Sequence, residues 1–103
     1  MELYRSTIES NRSKPGQLLA EGTAEDIANW VNSVGDEWEI GQCREKYIGL
    51  RFENPPDGWT PEWNCYIRTP IDDRGGFPTL ADAVRQFGRI NENVILKEND
   101  NGY

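Results

Sequence analysis

Two short runs constrain the fold most: "KYIGLRFE" (46–53) and "EWNCYIR" (62–68). Alternation puts Ile48, Leu50 and Phe52 on one side of the first run and Trp63, Cys65 and Ile67 on one side of the second. This is the period-two pattern of half-buried strands. Antiparallel pairing that turns both apolar sets the same way predicts Phe52 opposite Trp63, Leu50 opposite Cys65 and Ile48 opposite Ile67. Gly49 then lies opposite Tyr66 on the outer face, where the ring can cover the bare glycine backbone.

A sheet with one apolar face must bury it against another layer. Two segments supply that layer. "TAEDIANWVNSVG" (23–35) has an N-cap Thr23, acids in its first turn, and Ile27, Trp30, Val31 and Val34 at helical spacing before Gly35. Thr23 with Asp26 is a relative of the capping box. "TLADAVRQFGRI" (79–90) repeats this grammar with Thr79, Asp82, a stripe of Leu80, Ala83, Val84 and Phe87, and Gly88 as terminator.

Further strands are expected at 2–10, at 17–22 and in "NVILKE" (93–98), while "DEWEIGQCRE" (36–45) reads as a short strand or an ordered loop carrying Trp38 and Ile40. The order β-β-α-(β)-β-β-α-β predicts a small α+β domain, a mainly antiparallel sheet with two helices on one face. A ferredoxin-like βαββαβ core is embedded in it, with an extra N-terminal strand, if segment 17–22 serves as the first strand.

With 103 residues, a single domain (1–103, its ends 1–2 and 98–103 frayed) should bury roughly 65% of the surface its unfolded chain exposes. Four Trp, four Tyr and three Phe supply large buried areas for that core. Cys43 and Cys65 are too few for a disulfide framework and are read as free thiols. Neither a secretory signal nor a membrane span is evident, so a soluble, cytoplasmic protein is expected.

Eighteen acidic against eleven basic residues give a net charge of −7. That balance disfavours direct contact with nucleic acid or anionic membrane and favours a basic partner. Between Pro15 and Cys43 stand Glu21, Glu25, Asp26, Asp36, Glu37 and Glu39 with no Lys or Arg. Solubility accounts for part of this and the dipole of the first helix for another part.

The absence of histidine excludes a Ser-His-Asp triad, a Cys-His nucleophile and a His-bound metal hydrolase. Asp72-Asp73 and Glu98 with Asp100 read as solvated turns, since neither fits an EF-hand. Gly75-Gly76 lacks the Lys-Ser/Thr of a phosphate loop. No cofactor, metal or catalytic residue is assigned.

The segment "NPPDGWTPEW" (54–63) spends three prolines and two tryptophans on a connection. Prolines fix its shape, so Trp59 could be presented to a partner at small entropic cost, or could fold back over the end of the core. Trp63 is assigned to the inner face of its strand.

The leading expectation is a non-enzymatic inhibitor or immunity or counter-defence type of protein that binds a protein partner and masks the basic, nucleic-acid-binding surface of a nuclease or defence complex. Its expected contacts are Trp59, Asp57, Glu62, Asp36, Glu37, Trp38, Glu39, Glu21 and Glu25. One alternative is a carbohydrate or nucleotide module stacking its ligand on Trp59 or Trp38. Another is single-strand nucleic-acid binding by Lys46, Arg51, Tyr66 and Arg68 on the outer face of the central hairpin. A homodimer through an exposed N-terminal strand is also open.

Overall fold

A computed structural model describes residues 1–7, 16–43, 47–59, 62–68 and 80–97. Six strands and two helices follow in the order β1 (Glu2–Arg5), β2 (Leu18–Glu21), α1 (Ala24–Val34), β3 (Trp38–Cys43), β4 (Tyr47–Phe52), β5 (Cys65–Arg68), α2 (Leu80–Gly88) and β6 (Ile95–Lys97). They form one mixed sheet in the order β2-β1-β5-β4-β3-β6. All neighbours are antiparallel except β3 and β6. The α+β class, with two helices against a mainly antiparallel sheet, is therefore as expected.

Local chemistry explains α1. The Thr23 hydroxyl accepts from the Asp26 amide at 3.2 Å and the Asp26 carboxylate accepts from the Thr23 amide at 3.0 Å, so both halves of a capping box are present. Just upstream, Gly22 has a φ of +137°, and a Cβ there would run into the Asp26 carboxylate. Ile27, Ala28 and Val31 face the sheet.

The inner face carries Leu3, Trp38, Ile40, Ile48, Leu50, Phe52, Cys65 and Ile67. With Ile27, Ala28 and Val31 of α1 and Ala83 and Phe87 of α2 they form one core, so both helices cover the same side. Leu80 and Val84 of α2 pack on its margin. At its centre the Trp38 ring meets Phe87 edge-on, centroids 6.0 Å apart. Trp38 Nε1 donates to Asn32 Oδ1 at 2.8 Å, and Asn91 Nδ2 reaches the same oxygen at 2.6 Å. One acceptor thus joins α1, β3 and the turn before β6.

Several expectations change. The pairs Ile48–Ile67, Gly49–Tyr66 and Leu50–Cys65 occur as predicted, but the ladder stops short of Phe52–Trp63. Asn64 interrupts it: its backbone amide donates to Leu50 O at 3.0 Å, and its side-chain oxygen accepts from the Phe52 amide at 2.8 Å. With a side chain replacing main chain, Trp63 joins Tyr66 and Tyr4 in a separate cluster outside the main core.

The ferredoxin-like interleaving is absent as well. A split β-α-β unit needs the strands flanking α1 close together, yet β1, β5 and β4 lie between β2 and β3. The cause is β1, which pairs with both β2 and β5. For the same reason the N-terminal strand has no free edge through which to dimerise.

The segment carrying Trp38 is a six-residue strand in the sheet's interior. Residues 8–15, Lys46, Thr79, Asp72-Asp73, Gly75-Gly76, Glu98 and Asp100 lie outside the described residues, and with them the candidate turns and the second N-cap.

Candidate binding surface

The predicted contact residues do not lie together. α1 spans eleven residues and so holds Glu21 and Glu25 about 16 Å from Asp36 and Glu37. Glu39 points to the outer face, where its carboxylate takes Arg51 Nε at 2.7 Å across the strand pair. Glu21 with Glu25, Asp36 with Glu37, and Glu39 thereby occupy three separate places.

Trp38 is 1% exposed and belongs to the core. As a contact for a partner or a stacked ligand it is corrected: its ring is enclosed and its N–H is committed to Asn32. Trp59 is half-buried. Its ring meets Phe52 at 5.9 Å, and the Arg5 guanidinium lies 5.2 Å from its centroid while donating to Gly58 O at 2.9 Å. The loop reaches this position through a turn in which the Trp59 amide donates to Pro56 O at 3.2 Å and Gly58 takes a φ of +88°. Pro55, Pro56 and a left-handed glycine thus fold Trp59 back against the core, where it is half-buried.

The outer face is not an open stacking platform. Tyr4 and Tyr66 stack at 5.6 Å, Arg51 lies 4.8 Å from the Trp63 centroid, and Tyr66 and Trp63 are each 7% exposed. The Tyr66 hydroxyl also accepts from the Gly16 amide at 3.1 Å. Burial and the hydrogen bond to Glu2 raise the Tyr4 phenol's pKa. On the inner face, burial pushes the Cys65 thiol up to about 12, with the Arg5 charge opposing. This inert thiol is free, as expected.

What the fold does gather is a row of acids across one end of the sheet. Asp36 and Glu37 precede β3, and Glu53 follows β4, with its amide donating to Glu37 O at 3.0 Å. Glu92 lies in the turn before β6, whose Asn93 side chain donates to Asp36 O at 3.2 Å. Glu62 stands two residues before Asn64, the residue that bonds Phe52, and Asp57 sits in the loop between β4 and β5. All six are exposed.

Because neighbouring strands lie about 4.8 Å apart, the row supplies one or two carboxylates per strand across β6, β3, β4 and the approach to β5. Among the described residues no salt bridge engages these six side chains. They are spread along the end of the sheet, and among the described residues no three His, Cys, Asp or Glu side chains are placed to hold a metal ion. The C-terminus of α1, with no basic residue in its last turn, adds its partial negative charge beside Asp36.

Asp36, Glu37, Asp57 and Glu62 were legible as candidates. Glu53 and Glu92 were not, since only the β3–β4 and β3–β6 pairings bring residues so far apart in sequence to one edge. Among the described residues no helix is long and apolar enough to cross a membrane. Comparison with protein-family models, curated proteins and solved structures found no match.

Proposed function

We propose that the protein acts without catalysis, by binding a basic surface of another protein through the acidic end of its sheet. In its specific form the partner is a nuclease or defence complex, and the carboxylate row takes the place that nucleic-acid phosphates would occupy. Immunity and counter-defence proteins work in this general way, by masking a functional surface.

The observation carrying this reading is the row of exposed Asp36, Glu37, Glu53, Asp57, Glu62 and Glu92, engaged by no salt bridge among the described residues, beside the negative end of α1. A fold selected for stability alone would place cations there. Like charges gathered along a rigid edge instead form a field that steers and holds a basic partner. The half-buried Trp59 lies on the same loop as Asp57 and can add an apolar contact.

The test is affinity capture on the immobilised protein from a lysate of the source cells, eluted with rising salt, alongside the Glu37→Lys/Glu53→Lys variant. A stoichiometric nucleic-acid-handling protein that leaves the parent at modest salt and is missing from the variant is the expected result. Equal retention by the variant, or no stoichiometric partner on the parent, would overturn the proposal.

A further inference from the structure

The sheet has two edges, β2 and β6, and they differ in how they are guarded. Natural edges are blunted by bulges, charges, prolines or a covering element. Beside β2 the ladder is irregular between Leu3 and Tyr4, and the strand ends on the charged Glu21. α1 also packs against β2.

β6 is guarded less: it is short and ends on the charged Lys97, but it has no bulge, and among the described residues no helix packs on it as α1 packs on β2. Its register with β3 is unbroken through Ile95, Leu96 and Lys97, and it contains no proline or bulge. Ile95 is 51% and Leu96 is 47% exposed, more than Leu18 or Val34. By alternation, one flanks each face of the sheet. Among the described residues no strand pairs with the other side of β6.

This edge is continuous with the acidic end. Glu92 precedes β6, and Asp36 and Glu37 precede its neighbour β3. We infer that the free edge of β6 takes up an extended segment of the partner as an added strand, with Lys or Arg against these carboxylates and apolar side chains beside Ile95 and Leu96. Main-chain hydrogen bonds hold such a strand and the flanking side chains select it. A second copy of this chain fits less well, because it would set one net charge of −7 against another.

The inference rests on the protein-binding reading, and the experiment separates the two. A fluorescent octapeptide alternating Lys and Val is titrated against the protein at low salt, beside the same peptide with its two central residues changed to Pro. Amide resonances of residues 95–97 are followed by NMR.

The added-strand inference expects binding of the alternating peptide, protection of the β6 amides, and a weakening of about tenfold or more in Ile95→Lys/Leu96→Lys, a loss typical of a buried apolar contact. Both substitutions fall on exposed side chains, and the NMR readout on the parent needs no variant. Equal binding of the Pro-containing peptide overturns the added strand while leaving charge attraction intact. No binding of either peptide overturns the added strand and weakens the charge reading. Self-association through β6 in sedimentation, without peptide, overturns it in favour of a second copy.

Discussion

Behind the sheet, Trp38, Phe87, Ile27 and Leu50 sit in a core where each residue supports its neighbours, down to the shared Asn32 acceptor. At its end, Asp36, Glu37, Glu53 and Glu92 stand near the negative pole of α1, with no cation among the described residues bridging them. The contrast is visible within α1 itself. Acids at its start complete a capping box, whereas acids just past its end oppose the dipole. Local conflict of this kind is what the proposed binding role would use.

Substitutions in the two regions should therefore move stability in opposite directions. The largest effect is expected in the core: Phe87→Ala removes the ring that meets Trp38 and should cost about 3–5 kcal/mol in denaturant unfolding. An alkaline effect of similar size follows from Cys65, whose folded-state pKa is raised from 9.0 to about 12 by burial. Its contribution is complete below pH 9 and is lost as pH rises through 12, on the order of 4 kcal/mol. Cys65→Ala should flatten that alkaline decline, as followed by unfolding curves between those limits.

Asn32→Leu leaves the Trp38 N–H and the Asn91 amide without their shared acceptor and should cost about 2 kcal/mol. Thr23→Ala removes half the capping box and should cost about 1 kcal/mol, read as a lowered melting temperature. Smallest, and of opposite sign, Asp36→Asn with Glu37→Gln should stabilise by about 0.3–1 kcal/mol at low ionic strength.

Much of the core was legible because its signals are local and periodic. Helix α1 was readable from its cap to Gly35, and the β4–β5 register from two alternating runs. The break at Asn64 was not, because nothing in an alternating pattern marks a side chain that takes a main-chain hydrogen bond. Asn is poorly suited to a strand interior, and that was the available signal. The parallel β3–β6 pairing joins segments far apart in sequence, so Glu92 could not be placed next to Asp36. For the proposed binding surface, the acidic composition was visible but its geometry was not. Glu21 and Glu39 looked contiguous in sequence, and the fold separates them, while Glu53 and Glu92 are brought in from outside the run.

The most direct test of the central claim, that these acids are not kept for folding, is denaturant unfolding of the parent and the Asp36→Asn/Glu37→Gln/Glu53→Gln variant at low and high salt. The variant should be the more stable at low salt, and the difference should shrink as salt screens the row. A variant less stable than the parent at low salt would show that the acids hold the fold together and would contradict the account.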